Sequence, residues 1–599
     1  MSPAAAEVCP PAVPEALLAG LSERQRAAVT SDAPLLCVVA GAGSGKTTVL
    51  TRRVAWRVHG GSAAPDHTLV VTFTRKAAHE LRVRLRRLGV EGVTASTIHA
   101  AAYAELRRHW ADTGARPPAL LHDPQPVLRR LLAETSSDGE VDRALLRALA
   151  TELSWSRARL VAPGDYPSAA AEARRHGGTM AAARVADLLA RYEEEKRRRG
   201  VVDLDDLLAR AAELLESSGA AAEAARWRVR HLFVDEFQDV NPAQWRLLEA
   251  WRAGRPDLCV VGDPRQAIYA WNGSDPTLLH RLPALVPGTA VLELDANHRS
   301  TPQIVAAATA GLRQGGDGGE DGARAEVPSG PPVVSDDGPP PVLGGFEDEV
   351  AEAAALCRWL RGVRRPGQPW RHLAVLARTH ARLEPVADAL GAAGIPVRRP
   401  GTRGRTEGVD ELLGRLRRLP RDQGVRPGLV DLAAEEVADT EGALALFTQL
   451  AEDCAADVPS PSVGAFLDWL AASRMAQLEE GGRDGVELAT FHRAKGLQWP
   501  AVAVVGLEAG TVPIAFATTA GALAEERRLL YVALSRAERH LWCSWATRSA
   551  ATPDRLRTPS PYLEGIRSAG AESEPLDPGR ALGRLADLRD RLAAAGRAS

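Results

Sequence analysis

The chain has 599 residues, 45% of them hydrophobic and 25% charged, with a formal net charge of −2. At roughly 150 residues per domain this length points to about four units, too many for one core, so domains must meet at clefts. The near-zero charge excludes a global field for nucleic acid, and the absence of any run of about 18 uncharged apolar residues excludes a membrane-spanning helix.

The N-terminus "MSPAAAEVCPPAVPEALL" has no basic start before its apolar part, and the expectation is no signal peptide and a cytoplasmic protein. Six cysteines (Cys9, Cys37, Cys259, Cys357, Cys454, Cys543) are scattered without a C-x-x-C pair, which speaks against a zinc or redox site. Cys37 and Cys259 fall in apolar runs and read as small buried hydrophobes. Of 74 basic residues only Lys46, Lys76, Lys196 and Lys495 are lysine. A chain so biased to arginine keeps lysine where a compact ammonium is needed and a planar fork will not serve. Lys196, in "RYEEEKRRRG", reads instead as part of a solvated helix face.

In chain order, the first chemical element is "LLCVVAGAGSGKTT", an apolar strand followed by a phosphate-loop pattern with Ala40 in place of the commoner glycine. Such a turn aims the backbone N–H groups of Ala42, Gly43, Ser44 and Gly45 at a β-phosphate. Lys46 reaches the β and γ oxygens, and Thr47 offers a hydroxyl to Mg²⁺. An Arg/Ala/Leu-rich helical stretch then runs from about residue 105 to 199. The strand "HLFVDEFQD" (231–239) ends in two carboxylates, Asp235 for Mg²⁺ and Glu236 to orient and deprotonate the attacking water. A third strand, "DLCVVGDPRQAIYAWNG" (257–273), brings Gln266 to a γ-phosphate. Three strands ending in polar chemistry indicate a parallel α/β sheet with ligands at its carboxyl edge.

Beyond a low-complexity stretch (315–341) that reads as a surface linker, the strand "HLAVLAR" (372–378), a helix and "AVAVVG" form a second parallel α/β unit split by an insertion. After residue 559 the pattern is a tail with an amphipathic helix at 580–595.

These motifs, in this order, resemble the superfamily 1 DNA helicases of the UvrD/PcrA/Rep type. "LSERQRAAV" (21–29) is similar to the family's adenine-reading Q motif, with Gln25 as reader, and "VTFTRKAAHELRVRL" (71–85) to a DNA-contacting motif. "TASTIHAAA" (94–102), "GVVDLDDLL" (200–208), "LELDANHRST" (292–301), "ELATFHRAKGLQWPAVAVVG" (487–506) and "EERRLLYVALSRAERHLWCSWA" (525–546) complete the series.

The resemblance implies an α/β fold of two RecA-like parallel-sheet motor domains, each interrupted by a mainly helical insertion. The first motor domain would take 1–104 and 200–300 with its insertion at 105–199. The second would take 301–400 and 485–558 with a shortened insertion at 401–484, leaving a tail at 559–599. It implies ATP and Mg²⁺ as ligands, ATP lying between the motor domains, and Arg299 and Arg536 as the arginines that neutralise charge on the transferred phosphoryl group. Trp271 would stack on a base of single-stranded DNA, and Phe73, Thr97, His99, Tyr269 and His492 would make other DNA or coupling contacts.

The implied activity is 3′ to 5′ translocation on single-stranded and partly duplex DNA, serving repair or recombination with partner proteins and no membrane. Four positions depart from the family pattern. His298 replaces an adenine-stacking Tyr, Thr48 an adenine-flanking Arg, Gln498 a ribose-associated Glu and Asn272 an Arg after the stacking Trp. A translocase that strips proteins but unwinds poorly, and a nucleotide-gated interaction protein, are the alternatives.

Overall fold

A computed structural model describes residues 15–135, 141–175, 180–313, 333–398, 409–434, 441–458, 460–472, 484–549, 556–569 and 571–572. The amphipathic helix expected at 580–595, and residues 315–332 of the linker expected at 315–341, lie outside the described residues. The described chain is α/β and divides into two compact units. One is Met1–Gly41, Gly45–Leu294 and Arg405–Gly481, and the other is Ala42–Ser44, Asp295–Gly404 and Gly482–Ser599.

The first unit is built on a six-stranded sheet in the order Thr94–Thr97, Thr68–Thr72, His231–Val234, Leu258–Gly262, Leu35–Ala40, Ala290–Leu294. Every pairing is parallel. Helices cover both faces of such a sheet, so its central strands are apolar throughout instead of alternating. "LLCVVA" and "LCVVG" follow this rule and are buried almost end to end. Three neighbouring strands therefore end together, and their C-terminal extensions share one edge: the loop after Ala40, Asp235 after Val234 and Asp263 after Gly262.

Helix starts are written into the sequence. Thr74 and Thr97 accept the N–H three residues on, and Asp203 and Asn241 form reciprocal capping boxes. The helices Gln125–Ala133, Arg143–Ala158, Tyr166–Glu172 and Ala182–Arg199 enclose a core of their own around Leu128, Leu149, Leu188 and Tyr192. A two-residue parallel pair, Ala119–Leu120 with Val201–Val202, closes the base of this insertion.

The helices Val409–Leu416, Val425–Ala434, Glu441–Asp457 and Val463–Ala472 also belong to the first unit, where Phe447, Phe466 and Trp469 join the hydrophobic cluster on one face of its sheet. Asp453 reaches Arg82 at 3.1 Å, and the Tyr103 hydroxyl donates to Asp468 at 3.4 Å.

The second unit carries a seven-stranded parallel sheet in the order Val397–Arg398, Val486–Thr490, Leu373–Ala377, Trp499–Val505, Ala537–Arg548, Val342–Asp348, Ala571–Glu572. The interior strand Leu373–Ala377 is completely buried. Among the described residues of both units no helix is long and apolar enough to cross a membrane.

One sequence expectation is overturned. Lys196 is not on a solvated face: its side chain is 3% exposed and its Nζ donates to Asp203 (2.7 Å) and Asp206 (2.8 Å). The charge run looked solvated because Glu194, Arg197 and Arg198 are exposed, whereas the helix turns Lys196 inward onto acids of the next segment.

Candidate functional site

Gly43 (φ +73°) and Gly45 (φ +82°) hold the left-handed conformations that bend the strand Leu35–Ala40 into the helix Lys46–His59. Gly45 is that helix's N-cap and brings no side chain to the first-turn N–H groups, the arrangement a helix N-terminus needs to receive an anion. Lys46 opens the helix with Nζ 3.5 Å from the Ala40 carbonyl and 3.8 Å from Asp263 Oδ2. Thr47 and Thr48 come next in the first turn, half-buried, and the Arg84 guanidinium lies 3.5 Å from the Thr48 hydroxyl.

The helix is pinned by Arg53, 1% exposed, which donates to the carbonyls of Ala28, Ser31 and Ala33 at 2.8–3.0 Å. Those carbonyls end the helix Glu23–Thr30 that carries Gln25. Gln25 is buried, and its Oε1 accepts the Ser22 N–H. A Cβ at residue 45 would stand 2.6 Å from Gln25 Nε2, so glycine is needed there for space as well as for φ.

At the next strand end, Asp235 is 3% exposed and Glu236 half-buried. Burial raises the Asp235 pKa, with the Glu236 charge adding to the effect and Lys46 opposing it. Two carboxylates crowded at a buried strand end fit a hard divalent cation with an oxygen ligand set, and Thr47 and Asp235 are the residues that would hold it. Glu236 has φ +52°, a conformation uncommon outside glycine. Gln266 is buried, and its Nε2 donates to Asp263 Oδ2 at 2.6 Å. Sequence reasoning missed Gln238, which links these groups, although its place inside "DEFQD" was a signal.

Of the aromatic residues, Trp271 is 45% exposed, whereas Phe73 and Tyr269 are half-buried. Trp271 is the middle residue of the 3-10 turn Ala270–Asn272, and its indole is more exposed than a core aromatic residue would be. The Trp271 carbonyl accepts from Arg175 at 3.3 Å, and Arg175 is itself held by Glu152 and stacked on Trp155. Thr97 caps its helix by accepting the Ala100 N–H, and His99 is buried in the helix's first turn.

In the second unit, Asn297 Oδ1 accepts the N–H groups of Arg299 (2.8 Å) and Ser300 (2.9 Å), while its Nδ2 donates to the carbonyl of Ala42, a residue grouped with this unit. His298 is exposed, and its N–H donates to the Gly43 carbonyl. Ser300 and Thr301 are fastened to Ala537 and Glu538, which places Arg299 beside the segment just after Arg536. Arg536 is 2% exposed, its guanidinium held by the carbonyls of Val532 and Leu497 and by the Ser535 hydroxyl. Gln498 is exposed. His492 is half-buried, and burial, with Arg378 and Lys495 adding positive charge, pushes its pKa down to about 4.

Residues 21–286 match the family described as UvrD/REP helicase N-terminal domain, and residues 433–548 the UvrD-like helicase C-terminal domain. The chain is 37% identical over 591 residues to ATP-dependent DNA helicase UvrD2 of Mycobacterium tuberculosis, covering 92% of this chain and 82% of that protein. It is 27% identical to DNA helicase II of Escherichia coli (91% and 87% covered) and 26% identical to ATP-dependent DNA helicase PcrA of Bacillus subtilis (88% and 82%).

Proposed function

Because the chain belongs to the UvrD-like family of ATP-dependent DNA helicases, we propose that it tracks 3′ to 5′ along single-stranded DNA, couples ATP hydrolysis to strand separation, and serves DNA repair or recombination. The observation that carries this reading is the grouping of Lys46, Asp263 and Gln266 with the carboxylates Asp235 and Glu236 at the ends of three adjacent parallel strands.

In this reading the N–H groups after Ala40 and the Lys46 ammonium hold the β- and γ-phosphates. Bound through Thr47 and Asp235, Mg²⁺ would supply charge neutralisation of the phosphates. Glu236 orients the attacking water and accepts its proton. Gln266 contacts the γ-phosphate, and Arg299 and Arg536 oppose the charge that develops on transfer. Gln25, Thr48, His298 and Gln498 are the residues assigned to the base and sugar. Trp271 stacks on a base of the tracked strand, and Phe73, Tyr269, Thr97, His99 and His492 serve backbone contact or coupling. The domain boundaries expected from sequence remain part of this proposal.

The test is ATP hydrolysis with and without single-stranded DNA. Strong stimulation, abolished in Glu236→Gln while ATP and DNA still bind, is expected; hydrolysis indifferent to DNA contradicts the reading. A second reading, a translocase that removes proteins and unwinds poorly, is supported by one feature. The shortened second insertion commits Phe447, Phe466, Trp469 and Asp453 to packing within the first unit, leaving fewer groups to meet a duplex.

A further inference from the structure

Gln238 lies in the single 3-10 turn Phe237–Asp239 directly after Glu236, and it is fully buried. Its Nε2 donates to Glu236 Oε2 at 2.5 Å, and its Oε1 accepts the backbone N–H of Asp263 at 2.8 Å. The second bond fixes the first: with the amide oxygen facing an N–H, the amide nitrogen must face the carboxylate. Strand Leu258–Gly262 leaves room for this bridge by ending in glycine. A Cβ at residue 262 would come within 2.8 Å of Gln238 Oε1 and 3.0 Å of Leu279 Cδ2.

Beyond the bridge, Asp263 uses its own carboxylate to receive Gln266 Nε2 (2.6 Å) and faces Lys46 Nζ at 3.8 Å. The groups assigned to activating water, sensing the γ-phosphate and holding the phosphates are thus joined in one connected set, with Gln238 as the link between two strand ends. The Gln238 amide accepts from an N–H through its oxygen and donates to a carboxylate through its nitrogen, two roles that neither a carboxylate nor an apolar group can fill together. Glutamate in its place would set carboxylate against carboxylate, and an apolar side chain would leave both partners unmet.

We propose that Gln238 is a positioning residue for ATP hydrolysis, holding the Glu236 carboxylate in register with the Asp263–Gln266 turn. It acts through Glu236 and touches no phosphate, and the inference rests on the assignment of Glu236 as the group that activates water.

The test uses the full chain with single-stranded DNA and measures turnover, ATP KM and the affinity for a fluorescent ATP analogue. Gln238→Met, which keeps length and removes both hydrogen bonds, is expected to lower kcat by about 10- to 100-fold while nucleotide affinity stays within about threefold. In single-turnover hydrolysis, adding Gln238→Met to Glu236→Gln should slow the reaction no further, because the residue through which it acts is already gone. Gln238→Glu, of the same size, should also lose turnover and serves if the Met variant does not fold.

Turnover of a folded Gln238→Met or Gln238→Glu protein within about threefold of wild type overturns the proposal. So does a Gln238→Met loss that multiplies with that of Glu236→Gln, or one that appears equally in nucleotide affinity. If wild type hydrolyses ATP but Glu236→Gln does so equally well, the underlying assignment has failed and not the bridge alone.

Discussion

Lys196→Met should destabilise the first unit by about 3 kcal/mol, because it breaks a buried ion network rather than a surface pair. Lys196 and Arg157 together meet three carboxylates. Lys196 lies 2.7 Å from Asp203, 2.8 Å from Asp206 and 3.2 Å from Glu193, and Arg157 contacts the same three. The Tyr192 hydroxyl completes Asp203 at 3.0 Å. Removing one partner of a buried pair typically costs about 3–5 kcal/mol; retention of Arg157 and partial solvent access at Asp206 and Glu193 place the expected loss near the lower end, about 3 kcal/mol. The cost falls where the first insertion's last helix, Ala182–Arg199, meets the cap of Leu204–Glu216.

The network also predicts a pH signature. Although burial opposes ionisation, Arg157 and Lys196 hold the Asp206 carboxyl below the usual carboxylate range. A depressed pKa gives stability that is present above the ordinary Asp value and is lost as pH falls through the folded value. The gap between wild type and Lys196→Met should therefore be full at pH 7 and narrow as the pH falls below about 4. Equilibrium urea unfolding, followed through the transition of the first unit, measures both. A Lys196→Met loss below about 0.5 kcal/mol at pH 7 would refute the buried-network argument and restore the solvated-face reading.

Trp271→Ala should weaken single-strand binding by about 1–3 kcal/mol and slow translocation more than DNA-free hydrolysis, read by equilibrium binding and stopped-flow stepping; unchanged binding and stepping would reject the stacking role. His298→Tyr should lower the ATP KM by about threefold with little change in kcat, since a larger exposed ring stacks on the base more strongly; equal KM values would place the base elsewhere. His492, with its pKa depressed from 6.5 to about 4, should cost stability as pH falls from 6.5 toward 4 and none above. His492→Gln should remove up to about 2 kcal/mol of that acid-side loss, seen as a shallower fall in thermal midpoint.

The strands and the polar groups at their C-terminal ends were legible because the physics is local. A near-continuous apolar run ending in "GSGKT", "DE" or "GDPRQ" gives both the strand and the chemistry at its carboxyl edge, and parallel register brings these ends together. Pairwise geometry was not legible. The bridge from Gln238 to Asp263 joins residues 25 positions apart whose contact depends on which strands are neighbours. Lys196 shows a missed signal: with only four lysines in the chain, its retention pointed to a special environment, and "DLDD" a few residues later supplied the acids. The family resemblance implied that the second insertion would be mainly helical. It could not reveal that Asp453 would pack against Arg82, because an amphipathic face does not name its partner.

The central claim is that ATP hydrolysis drives the chain along one strand with a fixed direction. Separation of short duplexes carrying either a 3′ or a 5′ single-stranded tail, with ATP and Mg²⁺, tests it most directly. The 3′-tailed duplex should be opened by wild type and left intact by Glu236→Gln, with little opening of the 5′-tailed one. Equal opening of both duplexes, or opening that persists in Glu236→Gln, would contradict it.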